Sequence, residues 1–225
     1  MRRVFGFGGP ARNLAARYNI APTQQAPVVR PDGQGGRELA MPRWGLVPSW
    51  AKDIDIGNRT INARAETVSE KPSFRAAFAR RRCLVPATGF YEWQKTDGPK
   101  APWNIARPDG ETFAFAGLWE HWQGDPAGPP VESFTIVTTE ANEALRPIHH
   151  RMPVILAPED WSAWLDVGGT PAGTALALLH PAPKDSLVAW RVGTRVNAPR
   201  NDDAACLEPV DEPAPAPAPA PTLFG

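Results

Sequence analysis

The sequence predicts an α+β fold, with a barrel-like antiparallel sheet at its core and a few flanking helices. Three observations lead to this prediction. Short apolar runs recur between turns rich in Gly and Pro, few segments show the period of an amphipathic helix, and 42% of the 225 residues are apolar. Short strands joined by turns, with few helices, are typical of an α+β protein.

The first elements follow from local turn signals. Residues 2–7 predict a helix fragment that ends at Gly8-Gly9. Residues 18–23 predict an extended segment, because Pro22 disfavours the α conformation of the residue before it. The Gly-rich segment 31–36 predicts a hairpin turn between strands at residues 26–30 and 37–44.

The later elements are read in the same way. Residues 73–82 predict the clearest helix, since Phe74, Ala77 and Phe78 fall on one face. A helical turn is predicted at 140–145, and a helix begins at Pro158 with acidic residues in its first turn. Further strands are predicted at residues 83–86, 90–94, 102–106, 112–119 and 133–139.

The chain divides into one predicted domain, residues 1–208, and a tail, residues 209–225. The tail contains an alternating Pro/Ala run. Such a low-complexity segment cannot bury enough apolar surface to fold, so we expect it to be disordered.

The net charge of zero hides an asymmetry between the two halves. Residues 1–100 hold 17 Lys and Arg against 8 Asp and Glu, and the rest of the chain holds 7 against 16. Arg supplies 19 of the 24 cations, and its planar guanidinium suits phosphate recognition. The basic half is compatible with a phosphate-binding face, although charge alone favours an ordinary solvated surface.

Cysteine content and hydropathy bear on the compartment. Cys83 and Cys206 are too few for a disulfide framework. No run approaches the roughly 18 apolar residues of a membrane span, and we expect no signal peptide. The sequence therefore predicts a cytoplasmic protein in a reducing environment, with no membrane partner.

Two adjacent histidines are the first candidates for chemistry. His149 and His150 lie in a loop between Pro147 and Pro153. A histidine titrates near neutral pH and serves as a general acid or base. A metal site is disfavoured, because no HExxH or CxxC spacing is present. A hydrogen-bonded structural histidine is the alternative.

A carboxylate and an amide complete the candidate set. Glu92 lies in an aromatic strand, and strand alternation places it on the same face as Phe90. A half-buried carboxylate has a raised pKa and can move protons near neutral pH, although a salt-bridged Glu is the alternative. Asn62 and Arg64 share a strand face that suits a sugar-phosphate, or is simply polar.

Cys83 and Trp50 each allow two interpretations. Cys83 follows three arginines that could lower its pKa and make it a nucleophile, but it also opens an apolar run typical of a buried, inert thiol. Trp50 ends a Gly/Pro loop beside Lys52. It could stack on bases or cover the core.

Six segments, in this order, resemble the SOS response-associated peptidase family, the abasic-site processing proteins. One such motif would be weak, whereas six in sequence are specific, and the resemblance covers roughly residues 15 to 210. The segments are 17–23 (RYNIAPT), 43–50 (RWGLVPSW), 61–67 (INARAET), 82–93 (RCLVPATGFYEW), 115–120 (FAGLWE) and 148–153 (IHHRMP).

The resemblance implies a specific chemistry. Members of the family capture abasic sites in single-stranded DNA, as part of the DNA damage response. The amine and thiol of an N-terminal cysteine condense with the ring-opened sugar aldehyde to give a thiazolidine. By resemblance, His149 helps to open the sugar ring, Glu92 moves protons at the amine and the aldehyde carbon, and Asn62 positions the amine.

The resemblance also implies the contacts with DNA. Arg64 and Arg151 correspond to phosphate contacts, and Trp50 to the ring that disrupts duplex beside the site. Asn19 and Pro22 correspond to the mouth of the pocket. We expect no metal and no cofactor, and a nucleoid-associated monomer.

The start of the sequence departs from the family pattern. The family opens with Met-Cys-Gly-Arg, whereas Arg2 follows Met1 here. We expect a start upstream that supplies the cysteine; the alternative is a non-covalent binder of single-stranded DNA that uses Trp50, Arg64 and Arg151. A different class, a thiol peptidase that uses Cys83 with His149 and Glu92, also stays open.

Overall fold

The computed structural model describes residues 1–9, 13–124 and 126–210. Within these residues it has twelve strands and four short α-helices, which confirms the predicted α+β class. The strands are β1 (Val28–Pro31), β2 (Arg37–Ala40), β3 (Arg43–Trp44), β4 (Asn62–Arg64), β5 (Arg82–Ala87), β6 (Gly89–Gln94), β7 (Ala101–Ala106), β8 (Phe113–Trp122), β9 (Val131–Glu140), β10 (Arg151–Pro153), β11 (Ile155–Leu156) and β12 (Val188–Arg191). The helices are α1 (Arg2–Phe5), α2 (Arg75–Arg80), α3 (Trp161–Leu165) and α4 (Ala172–Ala177). Short 3-10 helices lie at Ile54–Arg59, Ala65–Thr67, Pro158–Asp160, Lys184–Ser186, Thr194–Asn197 and Ala204–Leu207.

Most strands belong to one large, mainly antiparallel sheet. Its order is β10-β9-β8-β5-β1-β2, with β11 paired to β8, and β3 and β4 paired in parallel to β9. The order has two ends, so the strand pairing of the described residues is open and does not close a barrel. A smaller sheet, β12-β7-β6, packs beside it.

The two faces of the small sheet have different neighbours, and Glu92 lies on the face that is turned toward the large sheet. On β6, Tyr91 and Trp93 pack into an apolar cluster with Val192, Val196 and Cys206. Phe90 points to the opposite face, where its ring meets that of Phe115 at 5.7 Å. Because successive strand residues alternate, Glu92 projects on the face of Phe90.

The carboxyl end of β9 pairs with both β4 and β10. Residues 131–136 of β9 pair with β8, and on the same edge the residues from Thr138 to Glu140 pair with β10. The parallel strand β4 pairs with residues 136–138 from the opposite edge. Thr138 therefore lies between Arg64 of β4 and Pro153 of β10.

Two predicted elements end earlier than expected, each for a local reason. The predicted strand 37–44 divides into β2 and β3, and Pro42 lies at the break, where it cannot donate a ladder hydrogen bond. The predicted helix 73–82 ends at Arg80, and Arg82 belongs to β5. Its buried guanidinium donates to the carbonyls of Trp164 and Asp166, at 2.6 and 2.7 Å, and so closes the end of α3.

The predicted tail lies mostly outside the described residues, which end at Val210. Backbone pairing continues to that point, since the Val210 N–H donates to the Arg191 carbonyl at 3.0 Å. No helix in the described ranges is long and apolar enough to cross a membrane.

Candidate functional site

The structure brings Glu92 and His149 together. His149 Nδ1 lies 3.7 Å from Glu92 Oε2, and the two side chains are 35% and 23% exposed. Gln94, two residues along the same face of β6, donates to the Pro147 carbonyl at 3.1 Å and ties the strand to the histidine loop. A carboxylate and an imidazole at this distance can exchange protons with a small substrate.

The pKa of the Glu92 carboxyl is raised. Burial disfavours its charged form and is the largest effect. Attraction to His149, the backbone N–H of Trp93 and the charge of Lys100 each lower this pKa, but only in part. The raised pKa matches the expectation for a half-buried carboxylate and suits a group that takes up and releases a proton.

A rigid turn carries His149. Asn142 accepts from the Leu145 N–H at 3.0 Å and donates to the Ala182 carbonyl at 3.0 Å. Leu145 and Ile148 are buried in the cluster below. The His149 N–H completes the turn by donating to the Leu145 carbonyl at 3.0 Å, so the imidazole is held on a fixed support.

The Nδ1 atom of His149 has both a hydrogen-bond acceptor and a hydrogen-bond donor beside it. Nδ1 lies 3.0 Å from the carbonyl of Arg151 and 3.2 Å from its N–H. A proton on Nδ1 suits that carbonyl and the Glu92 carboxylate, whereas an unprotonated Nδ1 accepts the Arg151 N–H, so these neighbours accommodate either tautomer.

A cationic surface depression of about 410 Å³ adjoins this pair, and we call it the arginine depression. It is lined by Arg64, Glu140, Arg146, His150 and Arg151. His150 connects it to the acid/base pair, because the rings of His149 and His150 are 4.5 Å apart.

Within the depression, Arg151 is held by a carboxylate. Its two terminal nitrogens contact Glu66 at 2.6 and 3.0 Å, and one of them also donates to the Thr138 carbonyl at 2.7 Å. The side chain is 15% exposed. The hydrogen bond from Arg151 lowers the pKa of Glu66, against a smaller opposing effect of burial.

The other predicted residues on β4 take the expected positions. Asn62 and Arg64 are exposed and Ala63 between them is buried, so the amide and the guanidinium share one face. Across the described ranges, no hydrogen bond joins the Asn62 amide to Glu92 or His149. The part of Asn62 in catalysis stays a prediction.

Trp50 and the segment around Asn19 differ in accessibility. Trp50 is 58% exposed, with its ring nitrogen 3.3 Å from the Pro72 carbonyl, so it does not cover the core. Asn19 is 5% exposed, and its amide donates to the carbonyls of Val196 and Asn201 at 3.0 Å. Pro22 is half-buried in the turn that follows. Contacts of Asn19 and Pro22 with DNA stay predictions.

The interpretation of Cys83 as a nucleophile is wrong. Its side chain is fully buried in the large sheet, and burial strongly raises the pKa of the thiol. A buried neutral thiol cannot attack a substrate, which removes the basis for a thiol peptidase that uses Cys83. In the described part of the chain, no group of three or more His, Cys, Asp or Glu side chains could hold a metal ion.

Sequence reasoning missed two lining residues of the arginine depression, Glu140 and Arg146, and also the Glu66 carboxylate that pairs with Arg151. Glu66 falls within the segment 61–67, but nothing in the local sequence shows that it pairs with Arg151. Arg146 was not singled out, although it stands three residues before His149. A cation so close to a candidate base is the signal that could have identified it.

An acid/base pair, Glu92 and His149, therefore lies beside a depression lined mainly by arginines. Residues 2–199 match the SOS response associated peptidase (SRAP) family, and the chain belongs to this family, as the six segments predicted. It is similar to the abasic site processing protein YoqW of Bacillus subtilis (strain 168), with 45% identity over 192 residues and 85% of each chain covered.

More distant relatives agree. The chain is 34% identical to the abasic site processing protein HMCES of Gallus gallus over 224 residues, which covers 86% of this chain and 66% of that protein. A crystal structure of a protein from Bacteroides thetaiotaomicron aligns with a TM-score of 0.76 at 30% identity, covering 84% of this chain and 82% of that one.

Proposed function

We propose that this protein processes abasic sites in DNA. The single observation that carries the proposal is the Glu92–His149 pair, 3.7 Å apart, beside the arginine depression. The depression offers guanidinium groups to a phosphate backbone, and the pair offers proton transfer to the sugar that the backbone carries. The names of the relatives support the same substrate.

We also propose that the preferred substrate is single-stranded. The exposed ring of Trp50 suits stacking on an unpaired base. An open surface with guanidinium groups favours a flexible strand, which can bend to place its sugar beside His149. Asn62 is proposed to position the reacting amine from the exposed face of β4.

The proposed chemistry is the condensation of an N-terminal cysteine with the abasic aldehyde. The amine must be neutral to attack, so a nearby base takes up its proton. Carbon–nitrogen and carbon–sulfur bonds form, the aldehyde oxygen leaves as water, and a thiazolidine results. Glu92, with its raised pKa, takes a proton from the amine and returns one to the aldehyde oxygen that leaves as water, and His149 assists opening of the sugar ring.

A direct test supplies the cysteine. The chain is extended upstream so that removal of methionine exposes an N-terminal Cys, and a matched version carries Ser at that position. Each is incubated with single-stranded DNA that contains an abasic site and is then run on a denaturing gel. We expect a covalent adduct with Cys alone, formed more slowly after Glu92→Gln or His149→Ala. Absence of the adduct, with the N-terminal Cys verified by mass, would overturn the covalent mechanism.

The second candidate function is non-covalent binding of single-stranded DNA by the chain from Met1. The cationic depression and the exposed ring of Trp50 favour it, and neither depends on a cysteine. Binding should weaken steeply with salt and should survive the combined change of Glu92→Ala and His149→Ala. A flat salt response would exclude it.

A further inference from the structure

The charge of the arginine depression is finely balanced. Three guanidiniums line or enter it, from Arg64, Arg146 and Arg151, and two carboxylates accompany them, Glu140 in the lining and Glu66 on Arg151. Apart from His150, these three positive and two negative charges leave a net charge of +1. Removal of any one free cation makes the depression electrically neutral.

The three guanidiniums are not equally available. Both terminal nitrogens of Arg151 already bond to Glu66 and Thr138, and its side chain is 15% exposed. Arg146 is exposed, and throughout the described residues its guanidinium makes no hydrogen bond or ion pair. Arg64 is likewise exposed, on the outer face of β4. Arg64 and Arg146 are therefore the cations open to a new anion.

The backbone of Arg146 is fixed relative to the acid/base pair. Its N–H donates to the Asn142 carbonyl at 3.0 Å, within the same turn that holds His149. The flanking residues Leu145 and Ile148 are buried. The side chain of Arg146 therefore starts from a backbone position held close to the imidazole, within reach of a phosphate beside the reacting sugar.

We infer that Arg146 binds a backbone phosphate of the DNA strand, together with Arg64, next to the sugar that faces Glu92 and His149. This inference rests on the proposed function and adds a residue to its binding surface. Arg146 and Arg64 are the two free cations that give the depression its net positive charge, while Arg151 is engaged by Glu66. Arg146 is a positioning residue, since it touches the phosphate and not the reacting atoms.

The expected effect follows from counterion release. Loss of one phosphate contact on single-stranded DNA reduces the slope of log K against log salt by about 0.7. If the variant and the parent bind equally at about 1 M salt, the variant should bind about eightfold more weakly than the parent at about 0.05 M salt and about fourfold more weakly at about 0.15 M. The variant and the parent should converge near 1 M.

The test measures equilibrium binding of the full chain to a labelled single strand that carries a tetrahydrofuran abasic analogue, by fluorescence anisotropy across salt concentrations. The variants are Arg146→Gln, Arg146→Lys and the control Arg3→Gln. Arg3 is exposed on α1, outside the lining of the depression. We expect Arg146→Gln to lose affinity and slope as above, Arg146→Lys to stay within about twofold of the parent because it keeps the charge, and Arg3→Gln to match the parent.

The outcomes separate this inference from the proposed function. If the parent chain fails to bind the strand even at low salt, the proposed DNA binding fails. If the parent binds and Arg146→Gln matches Arg3→Gln, the inference about Arg146 alone is overturned. A weaker Arg146→Gln with an unchanged salt slope, or an Arg146→Lys as weak as Arg146→Gln, also overturns it, because neither result describes a charge contact.

Discussion

Replacement of Glu92 by Gln is expected to stabilise the fold at neutral pH while it slows proton transfer. Burial raises the pKa of this carboxyl more than His149, the Trp93 N–H and Lys100 lower it. The folded protein therefore binds the proton more tightly than the unfolded chain does. At a pH below the pKa of Glu92 in the unfolded chain, about 4.3, the carboxyl is protonated in both states and does not destabilise the fold. As the pH rises through the higher pKa of the folded state, that stability is lost.

The size of the gain follows from the same linkage. Each unit by which the folded-state pKa exceeds the unfolded value costs about 1.4 kcal/mol at a pH above both. Gln has nearly the shape of Glu and carries no charge, so it removes this cost. A gain of about 1 kcal/mol would raise Tm by about 2–4 °C for a domain of this size. Below about pH 4, Glu92 is protonated in both states and the gain should vanish.

Thermal unfolding at neutral and at acidic pH measures both effects. The control is Glu143→Gln, whose side chain is 82% exposed in a pair with Lys184, and which should give no gain because such surface pairs contribute about 0–1 kcal/mol. The reasoning is refuted if Glu92→Gln is less stable than the parent at neutral pH, or is stabilised equally at both pH values. Adduct formation by the cysteine-bearing form should be slower with Glu92→Gln in either case.

Three further outcomes test the packing. Cys83 should resist alkylation until denaturant is added, and Cys83→Ala should leave DNA binding unchanged; rapid labelling of the native protein, read by mass spectrometry, would contradict its burial. Gly45→Ala should cost about 2–5 kcal/mol, because a Cβ there meets a backbone oxygen at 2.5 Å and φ is +117°. As a control, Gly110→Ala should cost only about 1 kcal/mol, because Gly110 has φ +69° but open space around its Cβ position. Equal costs of Gly45→Ala and Gly110→Ala in urea unfolding would show that the close backbone contact at Gly45 is unimportant. Arg82→Met should cost about 2–4 kcal/mol in the same assay, since it leaves the carbonyls that end α3 without donors, and an unchanged midpoint would deny Arg82 that role.

The features predicted well from sequence are those set by local period. Alternation along β6 places Glu92 on the face of Phe90, and alternation along β4 places Asn62 and Arg64 together, because side chains of a strand alternate wherever it lies. These properties need no knowledge of distant contacts.

The features that sequence left open depend on partners far along the chain. Arg151 meets Glu66 across 85 residues. Cys83 follows a run of arginines, yet its burial is decided by neighbouring strands of the large sheet and not by those charges. Arg82 continues the pattern of a helix, but a buried guanidinium is stable only because the end of α3 presents two carbonyls to it.

The bonds between the early segment and the late loop have a consequence for any shortened form of the protein. The Asp202 carboxylate accepts hydrogen bonds from the backbone N–H groups of Tyr18 and Asn19 and from the side chain of Arg17. The Asn19 amide donates to a carbonyl of the same loop. Residues 17–19 and the loop 196–202 are thus joined by one cluster of hydrogen bonds, just before Pro22. A protease cut between residues 197 and 203 would free residues 17–19, far upstream in sequence, from these bonds. Trimming beyond Val210 would leave the bonds in place.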